Sequence, residues 1–229
     1  MKQLALPVRL RAEAVFDSFS GGPNAEVVAA LRAPGTDPVW LWGARGTGKT
    51  HLLQAACAAA GNAAAAYIPL DGSAGLPPEA LQGFASRGLL CVDDVDAVAG
   101  ELHWERMLFQ LFNEAVELRT RLIFAAAAPP AALSWALNDW SSRAAACVVY
   151  QLRELDDAGR IEALRLRAMQ RGLALPPETA DYLLRRMPRD LASLLGLLDQ
   201  LDEASLAAQR RLTIPFIRDA LERIAGKPP

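Results

Sequence analysis

One octapeptide constrains this chain more tightly than any other segment. Gly43-Ala44-Arg45-Gly46-Thr47-Gly48-Lys49-Thr50 fits the pattern G-x-x-x-x-G-K-[ST] at every fixed position. It stands directly after an apolar run, residues 39–42, and directly before a helical start, Lys49-Thr50-His51-Leu52-Leu53. A strand on one side and a helix on the other make this glycine-rich string a phosphate loop. Glycines at 43, 46 and 48 let the backbone close around a β-phosphate. Successive N–H groups, those of Thr47 and His51 included, face the anion together with the positive end of the helix dipole. Lys49 is placed to bridge the β- and γ-phosphates, and the Thr50 hydroxyl to bind Mg²⁺.

A phosphate loop needs a second magnesium anchor. Leu89-Leu90-Cys91-Val92-Asp93-Asp94 provides an apolar strand ending in two carboxylates, at the C-terminal edge of a sheet. Asp93 is expected to hold a magnesium-bound water, and Asp94, pointing elsewhere, to orient an attacking water. Around these motifs short apolar runs at 39–42, 65–70, 89–92, 122–126 and 147–152 alternate with helical patterns. The pattern predicts an α/β base, a parallel five-stranded sheet with helices on both faces. The clearest helix places Trp104, Met107, Leu108, Leu111, Phe112 and Ala115 at spacings of three and four, a core stripe. Pro129-Pro130 breaks the chain after the fourth run, and 138–142 is expected to supply turn and capping residues before the fifth.

Beyond Leu152 the strand signals end. Asp156 or Asp157 can cap a helix to about Arg171, and Pro176-Pro177 opens another that ends near Met187. A third starts at Asp190 with Leu191, Leu194, Leu195, Leu198 and Leu201 on one face, and Thr213-Ile214-Pro215 begins a last one carrying Ile217, Leu221 and Ile224 inward. The expected organisation is an extended tail over 1–14, an α/β base over 15–153 and a small all-helical lid over 154–229.

Composition removes several function classes. Among 229 residues, 24 Lys and Arg against 26 Asp and Glu leave a net charge of -2, which argues against a nucleic-acid-coating surface. No run reaches the ~20 apolar residues of a membrane helix. The first residues lack a secretory signal, so a cytoplasmic protein is expected. Cys57, Cys91 and Cys147 sit among apolar residues as buried thiols, and neither they nor His51 and His103 show metal-ligand spacing. The five tryptophans read as core and interface.

With the loop, Asp93-Asp94 and the helical tail together, the chain resembles the P-loop AAA+ ATPase modules of the DnaA initiator type. Within that family it is most similar to the regulators that work with the sliding clamp to inactivate the initiator. Further blocks carry the resemblance: Phe16-Asp17-Ser18-Phe19, Gly22-Pro23-Asn24, Tyr67-Ile68-Pro69-Leu70-Asp71, Trp140-Ser141-Ser142-Arg143, Leu197-Leu198-Asp199-Gln200-Leu201-Asp202 and Leu212-Thr213-Ile214-Pro215-Phe216. The resemblance implies an ADP or ATP site with Mg²⁺. It also implies that Arg143 is an arginine finger acting in trans and that Arg189 is a lid arginine sensing nucleotide in cis. Gln3-Leu4-Ala5-Leu6-Pro7 is similar to the family's N-terminal clamp-binding peptide, with Gln3, Leu4, Leu6 and Pro7 as contacts. The implied partners are the β sliding clamp of DNA replication and the DnaA initiator.

Two departures shape the expectation. Where such ATPases place a polar sensor at the end of the fourth strand, this chain has Phe124-Ala125-Ala126-Ala127-Ala128, so hydrolysis at its own site should be slow or absent. The chain also runs to Pro229 without a helix-turn-helix after the lid, so direct, sequence-specific DNA binding is not expected. The leading reading is a regulator that stimulates ATP hydrolysis by the initiator. The alternative is a self-hydrolysing, helicase-loader-like AAA+ ATPase acting as a homo-oligomer; a small-molecule P-loop kinase suits the helical tail poorly.

Overall fold

The five apolar runs become the five strands of one parallel sheet in the computed structural model, which describes residues 14–61, 64–72, 75–187, 190–208 and 212–225. The strands are β1 (Val39–Trp42), β2 (Ala65–Pro69), β3 (Leu89–Asp93), β4 (Arg121–Ala126) and β5 (Val148–Gln151), in the order β2-β3-β4-β1-β5. Every adjacent pair is parallel, with Trp42 level with Ala126 and Gln151, and Asp93 level with Pro69. The motif-bearing ends therefore share one edge of the sheet. In β2 and β3 every residue is buried, the mark of strands covered on both faces.

Alternation along the strands sorts side chains to the two faces. Trp40, Leu90, Val92, Leu122 and Phe124 join one cluster with Leu108, Leu111 and Phe112 of α3 (Leu102–Glu117) and Trp140 and Ala144 of α4 (Asn138–Ala145). On the opposite face Cys91 meets Cys57, and Tyr67 meets Gln54, both from α2 (Lys49–Ala60). Burial pushes the Cys91 thiol well up, and the Cys147 thiol up to about 12, so both stay protonated.

Two helices depart from the sequence reading. Residues 138–142 do not form a turn: they are most of α4, which runs eight residues from an N-cap at Leu137. Trp140 and Ala144, fully buried and four residues apart, outweigh the weak helix propensity of Asn138, Asp139, Ser141 and Ser142. A short helix, α1 (Ala25–Arg32), precedes β1; it buries only Val27 and Leu31, too little to announce itself as periodicity.

Glu105 is the unexpected charge of the core. It lies on the inner side of α3 with no exposed surface, and backbone amides stand where a cation would be needed. Its Oε1 accepts the N–H groups of Gly100 (2.7 Å) and Ala136 (3.1 Å), and its Oε2 that of Leu137 (2.7 Å).

By packing, the described residues form two units, one made of 14–16 with Pro23–Glu154 and the other of Asp17–Gly22 with residues from Leu155 onward. The second is helical: α5 (Asp157–Gln170), α6 (Pro177–Arg186), α7 (Leu191–Ala208) and α8 (Ile214–Ala225). Asp156, not Asp157, caps α5, accepting the Gly159 N–H at 2.8 Å. Leu194, Leu197, Leu198 and Leu201 of α7 are buried, whereas Leu191 and Leu195 are only partly so, and Phe216 and Ile217 of α8 complete the core. The side chain of Ile224 lies outside the described residues. Arg167 of α5 and Arg171, its C-cap, pair with Asp199 and Asp202 of α7 at 2.8–3.0 Å.

Candidate functional site

The turn between β1 and α2 is shaped by contacts only glycine satisfies. A Cβ at Gly43 would stand 2.6 Å from the Leu152 carbonyl oxygen, and Gly46 and Gly48 have φ of 86° and 97°, the left-handed region. Gly48 is the N-cap of α2, whose first turn carries no acidic side chain, so its free amides and dipole face the turn unopposed. Thr47 is buried, its hydroxyl donating to the Ala44 carbonyl at 2.9 Å. The nearly buried Lys49 ammonium donates to the carbonyls of Gly43 (2.7 Å) and Ala44 (3.2 Å), which lays its charge across the mouth of the turn. Thr50 is half-buried in the first turn of α2. The His51 ring is engaged away from the turn, its Nε2–H donating to the Val15 carbonyl at 3.1 Å.

Asp93 ends β3, two strands from β1 and thus about 10 Å across the sheet edge. It is fully buried. Its Oδ2 accepts the Tyr67 hydroxyl at 2.8 Å and its Oδ1 the Asp94 amide at 3.0 Å. Burial, and then the Asp93 charge beside it, push the Tyr67 phenol far above its ordinary range, so it remains a donor. Asp94 adopts a left-handed φ of 54°, uncommon outside glycine and asparagine. Its carboxyl is pushed up to about 6 by burial first, then by Asp93, Asp71 and Asp96, with Lys49 pulling the other way. Lys49 and the β3 carboxylates therefore belong to one electrostatic site.

Between β3 and β1 lies the end of β4, where Ala125 and Ala126 are buried methyls. Backbone groups fix this segment: the Gly43 N–H donates to the Ala126 carbonyl (3.4 Å), the Ala127 N–H to Asp96 Oδ1 (2.9 Å), and the Trp40 indole N–H to the Ala128 carbonyl (3.0 Å). Arg143 stands on α4, exposed, its guanidinium over the rings of Phe109 and Phe112. Arg189 and the peptide residues Gln3, Leu4, Leu6 and Pro7 lie outside the described residues.

Sequence reasoning missed Tyr67, Asp96 and Glu105. Only Glu105 left a signal, a charge at a core-facing position of the α3 stripe; the partners of the other two are set by the sheet. Among the described residues no group of three or more His, Cys, Asp or Glu side chains is placed to hold a metal by itself, and no helix is long and apolar enough to cross a membrane. The oxygens of Thr50 and Asp93 are the hard donors that suit Mg²⁺, which keeps much of its water. With both carboxylate oxygens already accepting hydrogen bonds, Asp93 fits a water-mediated anchor.

Comparison with known proteins agrees with this geometry. Residues 157–221 match the family model of the Hda lid domain. Domain III of the Thermotoga maritima replication initiation protein DnaA superposes with a TM-score of 0.77 at 20% identity, covering 96% of this chain and 100% of that one. DnaA from Aquifex aeolicus, solved bound to AMPPCP, gives a TM-score of 0.68 at 26% identity over 84% of this chain and 66% of that chain. Thermotoga maritima RuvB, a Holliday junction branch migration motor, shares the fold at 15% identity with a TM-score of 0.60, over 81% of this chain and 61% of that one. The chain is thus similar to the DnaA AAA+ modules in its sheet and phosphate turn, and to the Hda lid domain over residues 157–221.

Proposed function

We propose that this protein is a regulator of replication initiation that binds an adenine nucleotide and stimulates ATP hydrolysis by the DnaA initiator. One observation carries the reading: the chain combines a fully formed phosphate turn with an all-methyl end of β4, while an exposed arginine, Arg143, is held on α4. A site able to grip phosphates but poorly equipped to activate water suits a nucleotide used as a structural ligand, with ADP the expected occupant. Gly43, Gly46, Thr47, Gly48 and the His51 amide would cradle the phosphates, and Lys49 would turn from its carbonyls to them. Thr50 and Asp93 would hold Mg²⁺, which supplies neutralisation of phosphate charge when bound. Asp94 would orient any attacking water, and Arg189 in the lid would sense the nucleotide in cis.

In this reading the chemistry takes place in the partner. Residues 1–14 tether the protein to the β sliding clamp through Gln3, Leu4, Leu6 and Pro7, the base over 15–153 holds nucleotide, and 154–229 is the lid. Tethering raises the local concentration of Arg143 wherever a clamp sits on DNA, so a weak contact with DnaA becomes productive. The setting is cytoplasmic.

The deciding experiment measures ATP hydrolysis by this protein alone and then by DnaA with this protein and DNA-loaded clamp. The expected result is a low rate alone and a stimulated rate in the mixture, abolished by Arg143→Ala. Stimulation that survives this substitution removes Arg143 from the role. A high rate alone returns the protein to the self-hydrolysing class.

A further inference from the structure

Three side chains spaced i, i+4 and i+7 along α3, Glu105, Phe109 and Phe112, share one face of that helix. Both ends of α4 rest on them. At the amino end Glu105 accepts the Ala136 and Leu137 N–H groups, and Leu137 is the N-cap of α4. Towards the other end the Arg143 guanidinium carbon lies 5.9 Å from the Phe109 ring centre and 5.8 Å from that of Phe112, within the range where a ring face attracts a cation. An exposed arginine left to itself spreads over many rotamers, and this one is gathered onto two rings. Glu105 reaches further, since the same carboxylate takes the Gly100 N–H from the connection that follows Asp93-Asp94, and Asp96 of that connection takes the Ala127 N–H. The connections after β3 and β4 are thus tied by two carboxylates, one of them fully buried.

We propose that this face of α3 is a cradle that aims Arg143, with Glu105 and Phe109 as positioning residues, neither of which touches the reacting phosphate. The functional part rests on the reading of Arg143 as a residue donated to the initiator; the geometric part stands apart from it. Half-buried Phe109 can be altered with little risk to the fold, whereas Glu105 cannot.

The test uses the full chain with ¹⁵N-labelled arginine, the Arg143 Nε–H resonance being identified by its loss in Arg143→Ala. In the wild type it should be shifted upfield of exposed arginines by the two rings. In Phe109→Leu it should move towards the exposed position, and in Phe109→Tyr it should stay. In the mixture with DnaA and DNA-loaded clamp, Phe109→Leu should lower the maximal stimulated rate about two- to fivefold. The concentration for half-stimulation should be unchanged, and Phe109→Tyr should restore the rate. An Arg143 resonance at the exposed position in the wild type, or one unmoved by Phe109→Leu, overturns the cradle. If Arg143→Ala leaves stimulation intact, the donated-arginine reading falls while the resonance still decides the geometry. A folded Glu105→Gln with an unaltered Arg143 resonance removes Glu105 from the cradle; if that variant does not fold, the Phe109 pair decides.

Discussion

Replacing Asp94 with asparagine should make the nucleotide-free protein more stable at neutral and alkaline pH. The substitution keeps the size of the side chain and tolerates the left-handed φ of 54°, so it isolates the charge. Burial first, and then the neighbouring Asp93, Asp71 and Asp96, raise the Asp94 carboxyl from 3.8 to about 6. Below pH 3.8 the group is protonated whether the chain is folded or not, and the fold loses nothing. As pH rises towards 6 the unfolded chain releases the proton while the folded one retains it, so stability falls through this window and stays low above it. A rise of this size corresponds to at most about 3 kcal/mol, and water screening of a half-exposed carboxyl reduces that to about 1–1.5 kcal/mol. Urea unfolding followed by tryptophan fluorescence, in chelator and without nucleotide, reads the effect directly. Asp94→Asn should gain about that much at pH 8, and most of the gain should vanish at pH 4. Equal stabilities at pH 8, or a gain that persists undiminished at pH 4, would refute the charge argument.

Other perturbations separate the parts of the site. Lys49→Ala should weaken ADP and ATP binding about 10- to 100-fold, the worth of charged hydrogen bonds to phosphate, with the thermal midpoint nearly unchanged; calorimetric titration beside a melting curve checks both. Tyr67→Phe leaves Asp93 Oδ2 buried without its 2.8 Å partner and should cost about 1.5–3 kcal/mol in urea unfolding. Its dependence of nucleotide binding on Mg²⁺ should also change, because the orientation of Asp93 is released. Gln3→Ala with Leu6→Ala should abolish co-migration with the β clamp on a sizing column while ADP affinity stays put; undiminished co-migration would place the clamp contact elsewhere.

The legible parts of this molecule are those where local chemistry leaves one residue type or one period. The phosphate turn could be read because the Leu152 carbonyl and the left-handed φ values at 46 and 48 exclude side chains. The strands could be read because burial on both faces demands unbroken apolar runs. The α3 stripe was equally plain, and its one discordant member, Glu105, was the clue left unread. What stayed hidden depends on partners far along the chain. Nothing near Tyr67 predicts a bond to Asp93, 26 residues on, and nothing near 138–142 predicts that α3 will hold a helix there. The weak intrinsic preference of Asn138-Asp139 pointed to a turn, and Trp140, by burying a large ring, decided otherwise.

The alanine segment that ends β4 leaves the choice of side chain open. Its course is dictated by peptide groups, Ala126 to Gly43, Ala127 to Asp96 and Ala128 to Trp40, and not by any side chain of its own. Ala127 is exposed. An asparagine or threonine installed there would bring a hydrogen-bonding side chain onto a backbone already held in place.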